Sequence, residues 1–397
     1  MSLINFINRG SALLVACAIL GAGCAVRQPG APAAPPRGEA LRIAVLPVYN
    51  LSEKSAPLAE LRRLMAQELL DQGQTVLAEA ELEPFMSRHR VRHTGGIDTV
   101  TAQAMDQELG IHAVLITSLE QYETRFPPKI SLTARLVSTG EKPRILWVES
   151  VGLSGDDRRG ILDLRLVHDP LLLQKSAVKR ISASFAGFLS GKGPVISNGV
   201  GDRRFRPKIV YKSGLLVAGK KYTVAVLPFK DRYSRKNSAE IMALHFVRQL
   251  AKSGYDVVDP GIIRQSLLNS RVIMNEGPSV RDLDVLFETL DTDLVLTGNL
   301  LDYQNQENPT ADFAVTLFER QSRKIVWSSR SYGTGNDGVF FFDWKQIRNS
   351  EAMVSRMAAS IVEVMMGEEK DSLPRGSEDD GKLNSFQRLL VRTSASP

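Results

Sequence analysis

Two histidines, His89 and His93, stand four residues apart in Ser87-Arg-His-Arg-Val-Arg-His-Thr94. On a helix that spacing places both imidazoles on one face, as paired metal ligands require. No carboxylate or cysteine lies nearby in sequence to complete the set, and Arg88, Arg90 and Arg92 would repel a divalent cation. The stretch therefore reads as a basic, exposed helix end, and its three arginines suit contact with an anionic polymer. Gly214-Leu-Leu-Val-Ala-Gly-Lys-Lys221 has the spacing of a phosphate-binding P-loop. Its last position holds Lys221 where Mg²⁺ needs Ser or Thr, and it leads into a strand instead of a helix. It reads as a turn. His112, His168 and His245 are isolated, and Glu120 and Asp302 read as strand-end carboxylates without a partner. No Ser-His-Asp set can be assembled. The expectation is a binding protein with no catalytic residue, no metal and no cofactor.

The two cysteines, Cys17 and Cys24, both lie in the first 24 residues, so the rest of the chain has no thiol, disulfide or cysteine metal site. A fold that avoids cysteine suits an oxidising compartment. Arg9 is followed by an apolar stretch of 14 residues, Gly10–Gly23. That is too short to span a bilayer, which takes roughly 20 residues. Leu20-Gly-Ala-Gly-Cys24 closes it and resembles the bacterial lipobox, in which the cysteine after the cut carries diacylglycerol. Leu14-Val-Ala-Cys17 matches that pattern more closely but leaves only seven residues after Arg9. Cys24 is the favoured lipidation site and Cys17 the alternative. A proline-rich run, Gln28–Arg37, begins soon after Cys24 and would hold a domain away from a surface. Ala25 favours sorting to the outer membrane in the lipoprotein pattern.

Val339-Phe-Phe-Phe-Asp-Trp344 is the most unusual stretch, with four aromatics in five residues. Phe340, Phe341, Phe342 and Trp344 suit a partner-binding anchor, since aromatics dominate interface energetics. The same rings could equally cap their own domain's core. The composition, 43% hydrophobic and 24% charged, is that of a globular protein. A net charge of +6 is too diffuse to indicate nucleic acid, and no nucleic-acid motif is present.

The elements that must position these residues occur twice. Arg42-Ile-Ala-Val-Leu-Pro-Val48 returns as Thr223-Val-Ala-Val-Leu-Pro-Phe229, an offset of 223 − 42 = 181. That offset runs unbroken to Tyr122 and Tyr303, matching Gly73 with Gly254 and Arg90-Val91 with Arg271-Val272. Ile145-Leu-Trp147 then meets Ile325-Val-Trp327 at an offset of 180. Two copies of one domain follow. Each opens with a continuous apolar strand (41–48; 222–229). Each continues with a helix whose apolar positions are Leu58, Leu61, Met65 and Leu69, or Ala239, Met242, Phe246 and Leu250. A glycine C-cap, a short strand, helices over 80–90 and 99–109 (260–271 and 280–290), a third strand, a hairpin and a closing helix complete it. The expected fold class is α/β, an α+β sandwich: two tandem β-α-β-α-β-β-β-α domains, each with a mixed sheet. One further hairpin is expected around Lys208–Tyr211 and Leu215–Ala218.

The Ala225-Val-Leu-Pro-Phe229 opening, the helix ending in glycine and the Leu294–Tyr303 strand resemble the CsgG/TolB N-terminal-like domain of bacterial envelope lipoproteins. The curli-transport family, outer-membrane activators of penicillin-binding proteins and the Pel-polysaccharide lipoprotein carry such domains. The resemblance implies a fold whose members secrete, scaffold or activate. The expected organisation is a lipoprotein signal at 1–24, a proline-rich linker at 25–41, repeats at 42–191 and 223–367 joined by a linker at 192–222, and a disordered polar tail at 368–397. The expected function is that of a non-catalytic, lipid-anchored periplasmic scaffold or accessory in envelope assembly, export or cell-wall synthesis. The alternative is a polysaccharide-binding module or enzyme using the groove between the repeats. The expected partners are an outer-membrane or periplasmic protein, the membrane through the lipid, and an anionic polysaccharide. Nucleic acid is not among them, and self-assembly is left open.

Overall fold

The opening run of each repeat becomes an interior strand because neither of its faces is polar. Ile43, Ala44 and Val45 are buried, as are Val224, Ala225 and Val226. A computed structural model describes residues 40–157, 166–191, 202–231, 236–272, 278–339 and 346–367. The first repeat runs β1 (Arg42–Val45), β2 (Tyr49–Asn50), α1 (Leu58–Asp71), β3 (Thr75–Val76), α2 (Glu79–Arg88) and α3 (Thr99–Leu109). It continues with β4 (Ala113–Glu123), β5 (Lys129–Ser138), β6 (Ile145–Ser154) and α4 (Pro170–Leu189). The second runs β7 (Ile209–Lys212), β8 (Thr223–Val226), β9 (Lys230–Asp231), α5 (Ser238–Lys252), β10 (Asp256–Val257), α6 (Pro260–Asn269) and α7 (Val280–Leu290). It closes with β11 (Leu294–Gln304), β12 (Thr310–Glu319), β13 (Ile325–Thr334) and α8 (Ser350–Met366).

The strand order is β3-β1-β4-β5-β6 in the first sheet, with β2 beside β4, and β10-β8-β11-β12-β13-β7 in the second, with β9 beside β11. In both sheets the short strands of the opening half pair in parallel and the long ones antiparallel, and the added short strand β7 pairs antiparallel with β13. This is the expected α+β sandwich with a mixed sheet, built twice. Even an irregularity is duplicated: the register slips between Leu119 and Gln121 in β4 and between Leu300 and Asp302 in β11. The bulged residues are therefore Glu120 and Leu301.

Helix ends explain several of the matched residues. Gly73 and Gly254 take positive φ after α1 and α5. Arg90 and Arg271 do the same after α2 and α6, at φ 54° and 53°. The next N–H groups, of Val91 and Val272, reach back to the carbonyls of Met86 and Leu267. That is a Schellman closure, with arginine in the place usually held by glycine.

The structure corrects one expectation, the second strand of the 208–218 hairpin, and adds to two readings. α2 stops at Arg88, so His89 and His93 do not share a helix face. Residues 215–218 form no strand, and β7 pairs with β13, whose open edge supplies a ready ladder. The second repeat's first helix, α5, has two buried faces and not one. Met242, Phe246, Val247 and Leu250 face the second sheet's core with Met353, Val354 and Met357 of α8. Ile241 and Leu244 pack on Leu51 of the first repeat, and α5 and α8 also lie against β6. In the first repeat α1 and α4 cover one face of the sheet, and α2 and α3 cover part of the other. The helices of the second repeat cover the rest.

Candidate anion-binding site

The basic stretch singled out in the sequence lies on the seam between the repeats. After α2 ends, residues 91–98 run to Asp98, the N-cap of α3, whose carboxylate accepts from the N–H of Thr101 at 2.9 Å. Opposite them α6 begins at Asp259, whose carboxylate accepts from the N–H of Gly261 at 2.8 Å. The two segments meet backbone to backbone. A Cβ on Gly96 would lie 2.5 Å from the Gly261 nitrogen, and one on Gly261 would lie 2.3 Å from the Ile97 nitrogen.

A buried ion pair fixes this junction. Arg135 of β5 donates from Nε to Asp259 Oδ2 at 2.8 Å, both side chains 0% exposed, and from Nη2 to the carbonyl of Gly95. Asp259 Oδ1 also accepts from the N–H of Ile97 at 3.3 Å. Burying opposite charges is a weak source of net stability, but removing one leaves the other uncompensated. The pair therefore sets how the repeats dock.

Beside this junction lies a cavity of about 310 Å³ lined by His89, Arg90, Arg92, His93, Asp98 and Arg264, among others. Arg90, Arg92 and Arg264 are exposed, and none forms an ion pair with a described residue. The one carboxylate in that set, Asp98, is engaged by Thr101. His93 packs edge-on against Tyr49, with ring centroids 4.7 Å apart. Burial, then the charges of Arg264 and Arg135, push its pKa down to about 4, so the ring is neutral at pH 7. Burial, then Glu240, whose carboxylate accepts from the Tyr49 hydroxyl at 3.2 Å, pushes Tyr49 up to about 12. Three arginines and one carboxylate among its lining residues make the pocket electropositive. It can hold an anion.

Of the arginines singled out in the sequence, Arg90 and Arg92 line the pocket. Arg88 does not: with His89 it turns to Glu108, at 3.3 and 2.7 Å. Arg264 was missed, because its sister position in the first repeat is Glu83 and nothing in the local pattern marks it. The seam holds further polar contacts that no motif announces. Glu149 of β6 meets Arg248 and Lys252 of α5 at 2.5 and 2.8 Å. Burial alone would raise this carboxyl, but Arg248 and Lys252, with hydrogen bonds from Lys252 and Ser150, hold it down at about 2. His245 and Glu120, isolated in the sequence reading, come together with Glu351. Cys17 and Cys24 lie outside the described residues, as do Phe340, Phe341, Phe342 and Trp344.

No protein-family model matches the chain, and no curated protein matches it in sequence. Among solved structures, lipoprotein GNA1162 from Neisseria meningitidis is similar at 20% identity, with 36% of this chain and 98% of that one covered and a TM-score of 0.26. The PelC dodecamer from Paraburkholderia phytofirmans is similar at 15% identity, with 40% and 99% covered and a TM-score of 0.27. For the LpoB C-terminal domain from Escherichia coli the identity is 21%, the coverage 29% and 82%, and the TM-score 0.24. TM-scores this low establish neither a shared fold nor a shared function.

Proposed function

We propose that this chain is a lipid-anchored envelope accessory protein that acts by binding, and that the pocket between its two CsgG/TolB-like repeats takes an acidic group of an envelope polysaccharide. The observation that carries the reading is the pocket's composition: Arg90 and Arg92 from one repeat and Arg264 from the other, three arginines to the single carboxylate of Asp98, none of them in an ion pair among the described residues. The lipobox-like Cys24 and the proline-rich run after it support placement at a membrane surface. The reading is non-catalytic: the arginines supply charge for binding.

Calorimetry with a polyuronate, using the full chain in detergent micelles, tests it. Binding should be salt-sensitive, because exposed charges are screened within about 8–10 Å at ordinary ionic strength. Arg92→Glu/Arg264→Glu should weaken it about tenfold or more, a loss of roughly 1.4 kcal/mol. The melting temperature should stay unchanged, since both side chains are exposed. Binding that survives the double reversal would sink the reading.

A further inference from the structure

The end of the first repeat where β4 turns into β5 leaves large apolar side chains in solvent. Phe126, in that turn, is 50% exposed and stacks on His168, with ring centroids 4.5 Å apart. His168 leads into α4, whose first turn exposes Leu171 and Leu172 at 52% and 56%. The three apolar groups thus share one end of the repeat. They stand where a hairpin turns and a helix starts, so they form a projecting tip and not a groove.

Beside this tip α4 presents a basic flank. Between Pro170 and Leu189 it contains Lys175, Lys179 and Arg180 and no acidic residue. Leu171, Lys175 and Lys179 fall at four-residue spacing, as do Leu172, Ser176 and Arg180, and all six are exposed. The cations therefore continue the face that begins with the two leucines. Arg125, next to Phe126, is exposed as well. Among the described residues none of these four cations forms an ion pair. Asp169 is engaged as the N-cap of α4, accepting from the Leu171 N–H at 2.9 Å, and Asp157 feels the charge of Arg180. The second repeat shows that the fold requires none of this. Glu307, Glu351 and Ala352 hold the sister positions of Phe126, Leu171 and Leu172, and Ser355, Ala359 and Ser360 those of the three α4 cations.

We propose that this tip and flank dock the first repeat on an anionic lipid surface. Phe126, Leu171 and Leu172 enter the headgroup layer, and Lys175, Lys179 and Arg180 lie against the lipid phosphates. Apolar burial and attraction to anionic headgroups add in such an arrangement, and the long lysine and arginine stems keep the charges at headgroup level. A flank of one sign suits a leaflet that is anionic throughout better than a protein patch of mixed charge. The expected lipidation site is within reach. Cys24 lies 40 − 24 = 16 residues before Ala40, at most about 55 Å of chain. Because β1 and β4 run parallel, the tip lies at the far end of β4 from that entry, and β4's 11 residues measure about 35 Å. The docking does not depend on the seam pocket.

The full chain carrying Phe126→Trp is reconstituted into vesicles of phosphatidylcholine, alone or mixed with phosphatidylglycerol, with and without brominated acyl chains. Bromine quenches a tryptophan that enters the bilayer, and the parent chain gives the background. The added fluorescence should be lost in brominated anionic vesicles and kept in brominated neutral ones. Lys175→Glu/Lys179→Glu/Arg180→Glu in the same chain should restore it in the anionic vesicles, without a change in melting temperature, since all three side chains are exposed. An added signal that stays unquenched in anionic vesicles would overturn the proposal and leave the tip to a protein partner. Quenching as strong in neutral vesicles, or undiminished after the charge reversal, would overturn it too. Leu172→Trp, read in the same way, is the second probe and decides if Phe126→Trp does not fold.

Discussion

Glu149 and His93 lose their contributions to stability at different acidities. Glu149 is held at about 2, against an ordinary value of 4.5, after its pairing with Arg248 and Lys252 outweighs its burial. A depressed carboxyl stabilises the fold fully above its unfolded pKa, so its share is lost as pH falls from about 4.5 through about 2. His93, lowered from 6.5 to about 4, is kept neutral in the fold while the unfolded chain takes up a proton. Its environment therefore costs stability as pH falls from 6.5 towards 4. Melting curves across this range should separate the two: His93→Gln should flatten the upper part of the decline, and Glu149→Gln the lower. A variant that shifts the other's window would contradict the assignment. Neither residue stood out in the sequence for this role, because His93 owes its shift first to burial and then to Arg264 and Arg135, and Glu149 owes its own to Arg248 and Lys252 of the other repeat.

The start of α6 is the element on which the seam depends. Asp259 caps it, Arg135 pairs with the cap, and Gly261 lets the backbone of Gly96 and Ile97 come into contact. The first repeat carries Ala78 and Ala80 at the sister positions, and both are exposed. Gly261→Ala places a methyl group against backbone atoms that cannot rotate away. It should cost about 1–3 kcal/mol, as overpacking does, even though alanine is the better helix former. Urea unfolding measures this, and polyuronate binding should fall in parallel because Arg264 rides on the same helix. An unchanged midpoint would mean that the repeats do not meet here. The periodicity of α5 told only half of its packing. The pattern Ala239, Met242, Phe246 and Leu250 is the face towards its own sheet, while Ile241 and Leu244 serve the other repeat.

At the scale of the whole molecule the duplication is asymmetric. Helices α5 and α8 of the second repeat lie against the first repeat's sheet, whereas among the described residues the main packing of α1 and α4 is on their own sheet. The expected anchor lies at the other extreme of the chain. If Cys24 is the acylated residue, a palmitate analogue should label the protein in envelopes, and Cys24→Ala should abolish the label. Loss of label with Cys17→Ala alone would move the cut to Cys17, and no label in either parent or variant would remove the anchor from the reading.

The fold was legible because local chemistry repeated at a fixed offset. Apolar runs without a polar face became interior strands, glycines and Arg90 or Arg271 closed helices, and Trp147 and Trp327 are buried in the two sheets. Those features depend on near neighbours in sequence, so one chain sufficed to find them. The basic stretch at Arg90 and Arg92 was legible for the same reason. What only the tertiary structure decided is everything on the seam. Arg135 with Asp259, Glu149 with Arg248, and Glu120 with His245 and Glu351 are separated by about a hundred residues or more. None repeats in the other copy, and it is packing, not spacing, that brings these charged residues together on the seam.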